Sequence, residues 1–132
     1  MKLNNHLKVV FGDRKYIADI SKSQVWLSDD IKYSEAILKE ASKFLLQLEG
    51  LKNVYAPYID RCYYCENSIE TKFKNSWNIN NSGDILLHFE SGYMANREFG
   101  TTHGNAYNSD THVPLLWYGK NVPHGKTHKF YT

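Results

Sequence analysis

The 132-residue sequence has little cysteine, almost no excess charge and no long apolar run. Two cysteines are too few for a disulfide scaffold. The 16 Lys and Arg against 14 Asp and Glu give a formal net charge of +2, which argues against a polyanionic partner such as nucleic acid. A membrane span needs about 18 consecutive apolar residues, and we find none. The first 15 residues contain no long apolar stretch and no small-residue cleavage site, so we expect no signal peptide there.

The composition is that of a folded globular chain. Hydrophobic residues make up 42% of the sequence and aromatic residues 14%. A chain of this length predicts a single domain with a genuine core, which buries roughly two-thirds of the surface that the unfolded chain exposes.

The clearest helix signal runs from about residue 34 to residue 49. Ser34 is a suitable N-cap, because its hydroxyl can accept a hydrogen bond from a free N–H of the first turn. Gly50 is a natural left-handed stop. Between them lies one apolar stripe, formed by Ile37, Leu38, Ala41, Phe44, Leu45 and Leu48. We therefore predict an amphipathic helix that packs on a sheet.

Four segments favour strands and two others favour short helices. The predicted strands are residues 23–28, 53–58, 84–90 and 113–118, and the predicted helices lie within residues 1–15 and 66–75. Pro57 confines the second strand to a sheet edge or to the end of the strand. The order predicts an α+β fold, with a small antiparallel or mixed sheet and the long helix packed on one face.

The loop between the last two predicted strands, residues 91–112, is long for a structureless connection. Loops beyond about 12–15 residues are usually functional or disordered. This one holds GTTHGNAYNSDTH, in which Gly100 and Gly104 bracket His103 and let backbone approach whatever the imidazole holds. Neutral imidazole is the commonest metal ligand. A solvated glycine-rich turn with an idle histidine is the alternative, and the spacing alone leaves both open.

Residues 100–119, GTTHGNAYNSDTHVPLLWYG, resemble the C-terminal metal segment of the alkaline phosphatase superfamily. They are most similar to its threonine-nucleophile phosphomonoesterase branch, which is related to nucleotide pyrophosphatases/phosphodiesterases. That branch has the pattern G-T-T-H-G, a Tyr, then D-x-H-[VI]-P-L-[LI]-x-Y-G. Upstream, SQVWLSDDI, EASKFLLQLEGLKNVYAPYID and SGDILLHFESGY resemble successive strand and helix segments of the family. The resemblance covers nearly the whole chain.

The resemblance implies a two-zinc phosphate ester hydrolase. In such a site two metal ions about 4 Å apart clamp both sides of an in-line displacement at phosphorus. A zinc-bound threonine forms a phospho-enzyme, and water then releases phosphate. His103 matches a zinc ligand of the family, and the GTTHG form favours the monoesterase branch. A periplasmic or secreted location is also implied.

The sequence departs from the family in what it lacks. It contains no Asp-His dipeptide, and the segments carrying the nucleophile and the substrate-contacting Lys and Arg are missing. We therefore expect an internal, C-terminal-side piece of a larger enzyme, with His103 as its one metal ligand and no catalytic or cofactor-binding residue. The parent would be an enzyme, whereas the piece would be inactive and would not retain zinc. A stand-alone α+β binding module without catalytic activity is the alternative.

Within this single unit, residues 1–92 would form the α+β subdomain. Residues 93–132 would supply the metal-ligand loop and one strand of the parent's catalytic domain. That strand, residues 113–118, would belong to the central sheet of the α/β parent. In the isolated chain it would be an exposed edge, so we expect a homodimer through it or poor order after about residue 93. A strand that folds back on the local sheet is the alternative, and the sequence leaves these outcomes open.

Other candidate ligands carry less weight. Asp84 and His88 spell Asp-x-x-x-His, but positions four apart on a strand lie about 13 Å apart, too far to share one ion. We expect His112 to position the loop at most, and the tail histidines, His124 and His128, to be solvated.

Cys62-Tyr63-Tyr64-Cys65 is a CxxC motif without the helix N-terminus of a redox site and without a second pair for a Cys₄ zinc site. A local turn or an oxidised staple is the favoured interpretation, and a catalytic dithiol is the alternative.

Overall fold

The computed structural model describes residues 2–21, 23–60, 68–93, 106–111 and 113–129. In chain order its elements are α1 (Lys2–Phe11), β1 (Ile17–Ser21), β2 (Gln24–Leu27), α2 (Glu35–Leu45), β3 (Leu51–Tyr55), α3 (Ile69–Ser76), β4 (Ile85–Phe89) and α4 (Asn108–Thr111). Within these ranges, none of the helices has the length and apolarity needed to cross a membrane.

The strands form one antiparallel sheet in the order β1-β2-β4-β3. Val25 of β2 pairs with Ile85 of β4, and Val54 of β3 pairs with Leu87. Strand β3 is an edge strand, which is one of the two positions that the presence of Pro57 allowed. The α+β class and the small sheet are confirmed.

One face of the sheet carries the main core. Paired residues of an antiparallel sheet share a face, so the side chains of Val25, Val54, Ile85 and Leu87 lie together. They join a single buried cluster with the apolar stripe of α2 and with Leu3 and Leu7 of α1. Full burial of each large aliphatic side chain contributes roughly 1.5–3 kcal/mol. Helix α2 therefore covers this face as predicted, with α1 packed beside it.

The opposite face is also covered. Leu86 and His88 point there from β4, and helix α3 brings Phe73 to within 5.3 Å of the His88 ring, centroid to centroid. Because both faces are covered, all four residues from Ile85 to His88 are buried. This double burial explains why the sequence DILLHF shows no alternation of apolar and polar residues.

Several boundaries differ from the sequence-based predictions. Strand β1 was missed because four of its five residues are exposed, which leaves almost no hydrophobic signal. Helix α2 ends at Leu45, and a turn separates it from Gly50, whose φ is +81°. Ser34 occupies the N-cap, but its side chain makes no capping hydrogen bond, so that detail was wrong.

The predicted strand at residues 113–118 does not form in this structure. The segment belongs to no helix or strand and is exposed throughout. Among the described residues, no strand pairs with it. Its place in the central sheet of a larger parent enzyme stays a prediction.

Candidate functional site

The centre of the second sheet face is an aromatic enclosure around His88. Its ring centroid lies 5.2 Å from that of Tyr107, 5.3 Å from that of Phe73 and 6.2 Å from that of Tyr55. The residue is only 3% exposed. Strand β3 supplies Tyr55, helix α3 supplies Phe73, and Tyr107 comes from the end of the long loop.

Among the described residues, neither ring nitrogen of His88 has a hydrogen-bond partner. Burial lowers the pKa of His88 from its ordinary value of 6.5, and the positive charge of Lys52 acts in the same direction. The carboxylates of Glu70 and Glu90 oppose this shift but do not reverse it. The side chain is therefore a neutral imidazole at neutral pH.

The loop segment 106–111 is fixed to this face by side-chain hydrogen bonds. The Tyr107 hydroxyl donates to the Phe89 carbonyl at 3.1 Å. Lys72 of α3 donates through Nζ to the Ala106 carbonyl at 3.1 Å and to the Thr111 hydroxyl at 3.3 Å. Half of the GTTHGNAYNSDTH segment is thus docked against β4 and α3.

The docked segment has local order of its own. The backbone N–H groups of Asp110 and Thr111 both donate to the Tyr107 carbonyl at 3.0 Å, which forms the single turn of α4. Lys52 Nζ lies 5.6 Å from the centre of the Tyr107 ring, a cation–π distance. Tyr107 is therefore contacted from β3, β4 and its own turn.

The predicted ligand His103 lies outside the described residues, as do His112, Cys62 and Cys65. The described tail carries His124 and His128 in exposed positions. Across the described ranges, no group of three or more His, Cys, Asp or Glu side chains is arranged to hold a metal ion. Those residues therefore do not make a complete metal site.

Asp84 and His88 have separate environments. Asp84 immediately precedes β4, and its carboxylate accepts a hydrogen bond from the Leu27 N–H at 2.8 Å. His88 lies four residues further on, within the strand and inside the aromatic enclosure. The Asp-x-x-x-His spelling therefore falls on an extended backbone, on which the two side chains are too far apart for one ion.

The chain is similar in sequence to parts of two alkaline phosphatases and of a calcium-transporting ATPase. No family model matches the chain. Alkaline phosphatase PafA of Elizabethkingia meningoseptica is 30% identical over 123 residues, which are 92% of this chain and 21% of that protein. Alkaline phosphatase PhoV of Synechococcus elongatus is 27% identical over 116 residues, 85% of this chain and 21% of that protein. A calcium-transporting ATPase of Myroides odoratus is 28% identical over 137 residues, 95% of this chain and 24% of that protein.

The crystal structure of wild-type alkaline phosphatase PafA has the same fold in one region. It superposes with a TM-score of 0.70 and 24% identity, over 83% of this chain and 22% of that one. This chain resembles part of the alkaline phosphatase superfamily. It spans about a fifth of the length of the curated relatives that it matches.

A cavity of about 480 Å³ lies next to the aromatic enclosure, because Tyr55 and Phe73 belong to the walls of both. Its walls come from β3, from α3 and from residues next to them: Asn53, Val54, Tyr55, Pro57, Asp60, Glu70, Phe73, Lys74, Trp77 and Leu86. The Tyr55 hydroxyl donates to Glu70 Oε1 at 3.1 Å. Burial is the main cause that raises the pKa of Tyr55 to about 12, so the phenol stays protonated and remains a donor.

Neither this cavity nor the enclosure was predicted from the sequence. A usable signal was present, because Glu70, Phe73 and Trp77 recur at i, i+3 and i+7 and so share one helix face. The approach of Tyr107 to His88 had no local signal, because 18 residues separate Tyr107 from the carbonyl that it contacts.

Proposed function

We propose that this chain is the part of a metal-dependent phosphate monoester hydrolase that supplies one zinc ligand, His103, and that it does not hydrolyse phosphate esters alone. The observation that carries the proposal is 30% identity to an alkaline phosphatase over 92% of the chain. The GTTHG segment, which resembles the family's metal segment, adds the residue-level argument.

The docking of residues 106–111 supports this role. Tyr107 follows His103 by four residues, and its hydroxyl and ring are fixed to the sheet. A ligand near such an anchor loses less conformational freedom when it binds a metal ion than one on an unanchored loop. We therefore expect the sheet to act as the base from which the ligand loop extends.

The sequence has no Asp-His dipeptide and no segment that matches the family's nucleophile, so the other zinc ligands and the nucleophile would come from polypeptide outside this chain. Bound zinc would act as a Lewis acid toward the phosphoryl oxygens. His103 would contribute a neutral imidazole nitrogen, and the substrate would be a phosphate monoester. Two zinc ions and a periplasmic or secreted location belong to the same proposal.

The test uses the polypeptide encoded by the whole reading frame, as wild type and as His103→Ala. We expect the variant to lose bound zinc and to hydrolyse p-nitrophenyl phosphate at least about 100-fold more slowly, the effect typical of groups that organise a catalytic metal. The matched control is His128→Ala, in the exposed tail, which should keep both properties. The 132-residue chain alone should show no turnover with added zinc.

A stand-alone binding module is the second candidate, and the cavity beside Tyr55 favours it. Cavities of a few hundred Å³ with aromatic walls and a few polar groups are typical of small-ligand sites. The same experiment separates the two candidates. A reading frame that encodes only these residues, or a protein that hydrolyses normally after His103→Ala, would contradict the phosphatase proposal and leave the binding module.

A further inference from the structure

We propose that His88 is a positioning residue that holds segment 106–111 against the sheet while its imidazole is neutral, so that acidification releases the segment. The docking itself stands on contacts among described residues. Its consequence for the ligand loop rests on the function proposed above.

The geometry of the enclosure disfavours a protonated His88. His88 is 3% exposed, and no described residue forms a hydrogen bond with either of its ring nitrogens. An imidazolium carries two N–H donors, and each needs an acceptor or water when it is buried. The neutral ring tolerates aromatic neighbours on several sides, whereas the protonated ring would leave a charge and two donors without partners.

Charged groups from several elements act on the His88 ring. From β3, His88 faces Lys52 and the protonated phenol of Tyr55, and from α3 it faces Glu70. Glu90 immediately follows β4, and the Tyr107 ring packs against the His88 ring. Glu70 already accepts the Tyr55 hydroxyl hydrogen bond, and Lys52 repels a second positive charge. Burial dominates this balance and lowers the pKa of His88.

The three aromatic walls of the enclosure belong to elements of different size. Tyr55 is part of the sheet, and Phe73 belongs to the eight-residue helix α3. Tyr107 belongs to a segment whose only helix is the four-residue α4. The contacts broken when that segment is released include the Tyr107 and Lys72 hydrogen bonds and the contact of Lys52 with the Tyr107 ring, and none of these is a strand pairing of the sheet. Hydrating His88 through the Tyr107 side is therefore the least costly route.

The sign of the pH effect follows from linkage. The docked state has the lowered pKa, and a hydrated His88 has a pKa near 6.5. The released state therefore binds the proton more readily than the docked state. Docking weakens as the pH falls through 6.5 toward the lowered pKa that His88 has in the docked state. For each pKa unit between the two states, the ratio of released to docked segment rises up to about tenfold.

The experiment measures amide hydrogen exchange of Asp110 and Thr111 in the 132-residue chain between about pH 7.5 and pH 5.5, after correction for intrinsic exchange rates. This range stays above the ordinary titration of carboxyl groups, near pH 4. We expect protection of both amides to fall on acidification in the wild type. In His88→Phe, which keeps an aromatic ring but cannot be protonated, protection should not depend on pH. The matched control His128→Phe should behave as the wild type.

A second measurement covers the case in which His88→Phe does not fold. Imidazole resonances of the wild type give the pKa of His88 directly, and a value at or above 6.5 with the segment docked would overturn the proposal. So would an unchanged pH slope in a folded His88→Phe variant. Neither readout uses zinc or substrate, so normal zinc binding by His103→Ala would refute the proposed function and leave this inference standing.

Discussion

Asp84, which immediately precedes β4, and His88, which lies within it, are both buried polar residues, and burial favours the neutral form of each. The Asp84 carboxylate accepts the Leu27 N–H, and Lys32 and the backbone N–H of Asp84 itself also favour its charged form. Burial outweighs these groups and raises the pKa of Asp84 above 3.8. His88 has no hydrogen-bond partner among the described residues, and burial lowers its pKa.

The Asp84 environment leads to a pH-dependent prediction. The unfolded carboxyl ionises near 3.8 and the folded one at a higher pH, so the wild type loses stability relative to Asp84→Asn as pH rises from 3.8 through the pKa of the folded carboxyl. Asp84→Ala removes the acceptor as well and strands the Leu27 N–H, so it should be about 1–3 kcal/mol less stable than Asp84→Asn at every pH.

Urea denaturation of the wild type and both variants across that pH range measures these differences. Asp19→Asn is the control, because it removes an exposed carboxylate on β1 that is not among the groups shifting the pKa of Asp84. A gap between wild type and Asp84→Asn that stays constant with pH would contradict the burial effect.

At the scale of elements, helices α2 and α3 begin at serines that act differently. The Ser68 hydroxyl accepts the Thr71 N–H at 3.2 Å, whereas Ser34 makes no side-chain capping bond. Helix α2 is stabilised chiefly by its buried stripe, which includes the fully buried Leu38 and Ala41. Helix α3 has no buried residue, so its start depends more on the cap.

We therefore predict that Ser68→Ala destabilises α3 by about 1 kcal/mol, while Ser34→Ala changes the stability of α2 by a few tenths at most. Local hydrogen exchange of each helix is the suitable measurement, because α3 can open without global unfolding. Equal losses in the two variants would show that the hydroxyl contact at Ser68 contributes nothing.

At the scale of the whole molecule, the tail leaves an apolar row in solvent. Val113, Leu115, Leu116 and Trp117 are each at least 64% exposed. The dimer was expected through a strand edge, and although residues 113–118 do not form a strand, this apolar exposure remains. Contiguous exposed apolar residues favour association.

We predict that the chain self-associates at micromolar concentration and that the double variant Leu116→Lys, Trp117→Lys is monomeric. Sedimentation velocity measures this. Gly125→Lys adds charge to the same tail at an open position and should not prevent association. A monomeric wild type would refute the prediction.

The sequence by itself determined the α+β class, the position of α2 and the location of β2, β3 and β4. These elements carry strong local signals, because an apolar stripe or run decides the conformation without help from distant residues. Helix α1 also followed from its apolar spacing, with Leu3 and Leu7 buried as that spacing implies.

Tertiary structure alone decided the rest. Strand β1 exists because β2 pairs with it, and its exposed residues gave no pattern to read. Residues 113–118 have the composition of a strand, but no strand of the described part of the chain pairs with them, and the local sequence cannot supply such a neighbour. The enclosure of His88 joins residues from β3, α3 and the distant Tyr107, and only the packing of all three removes that imidazole from water.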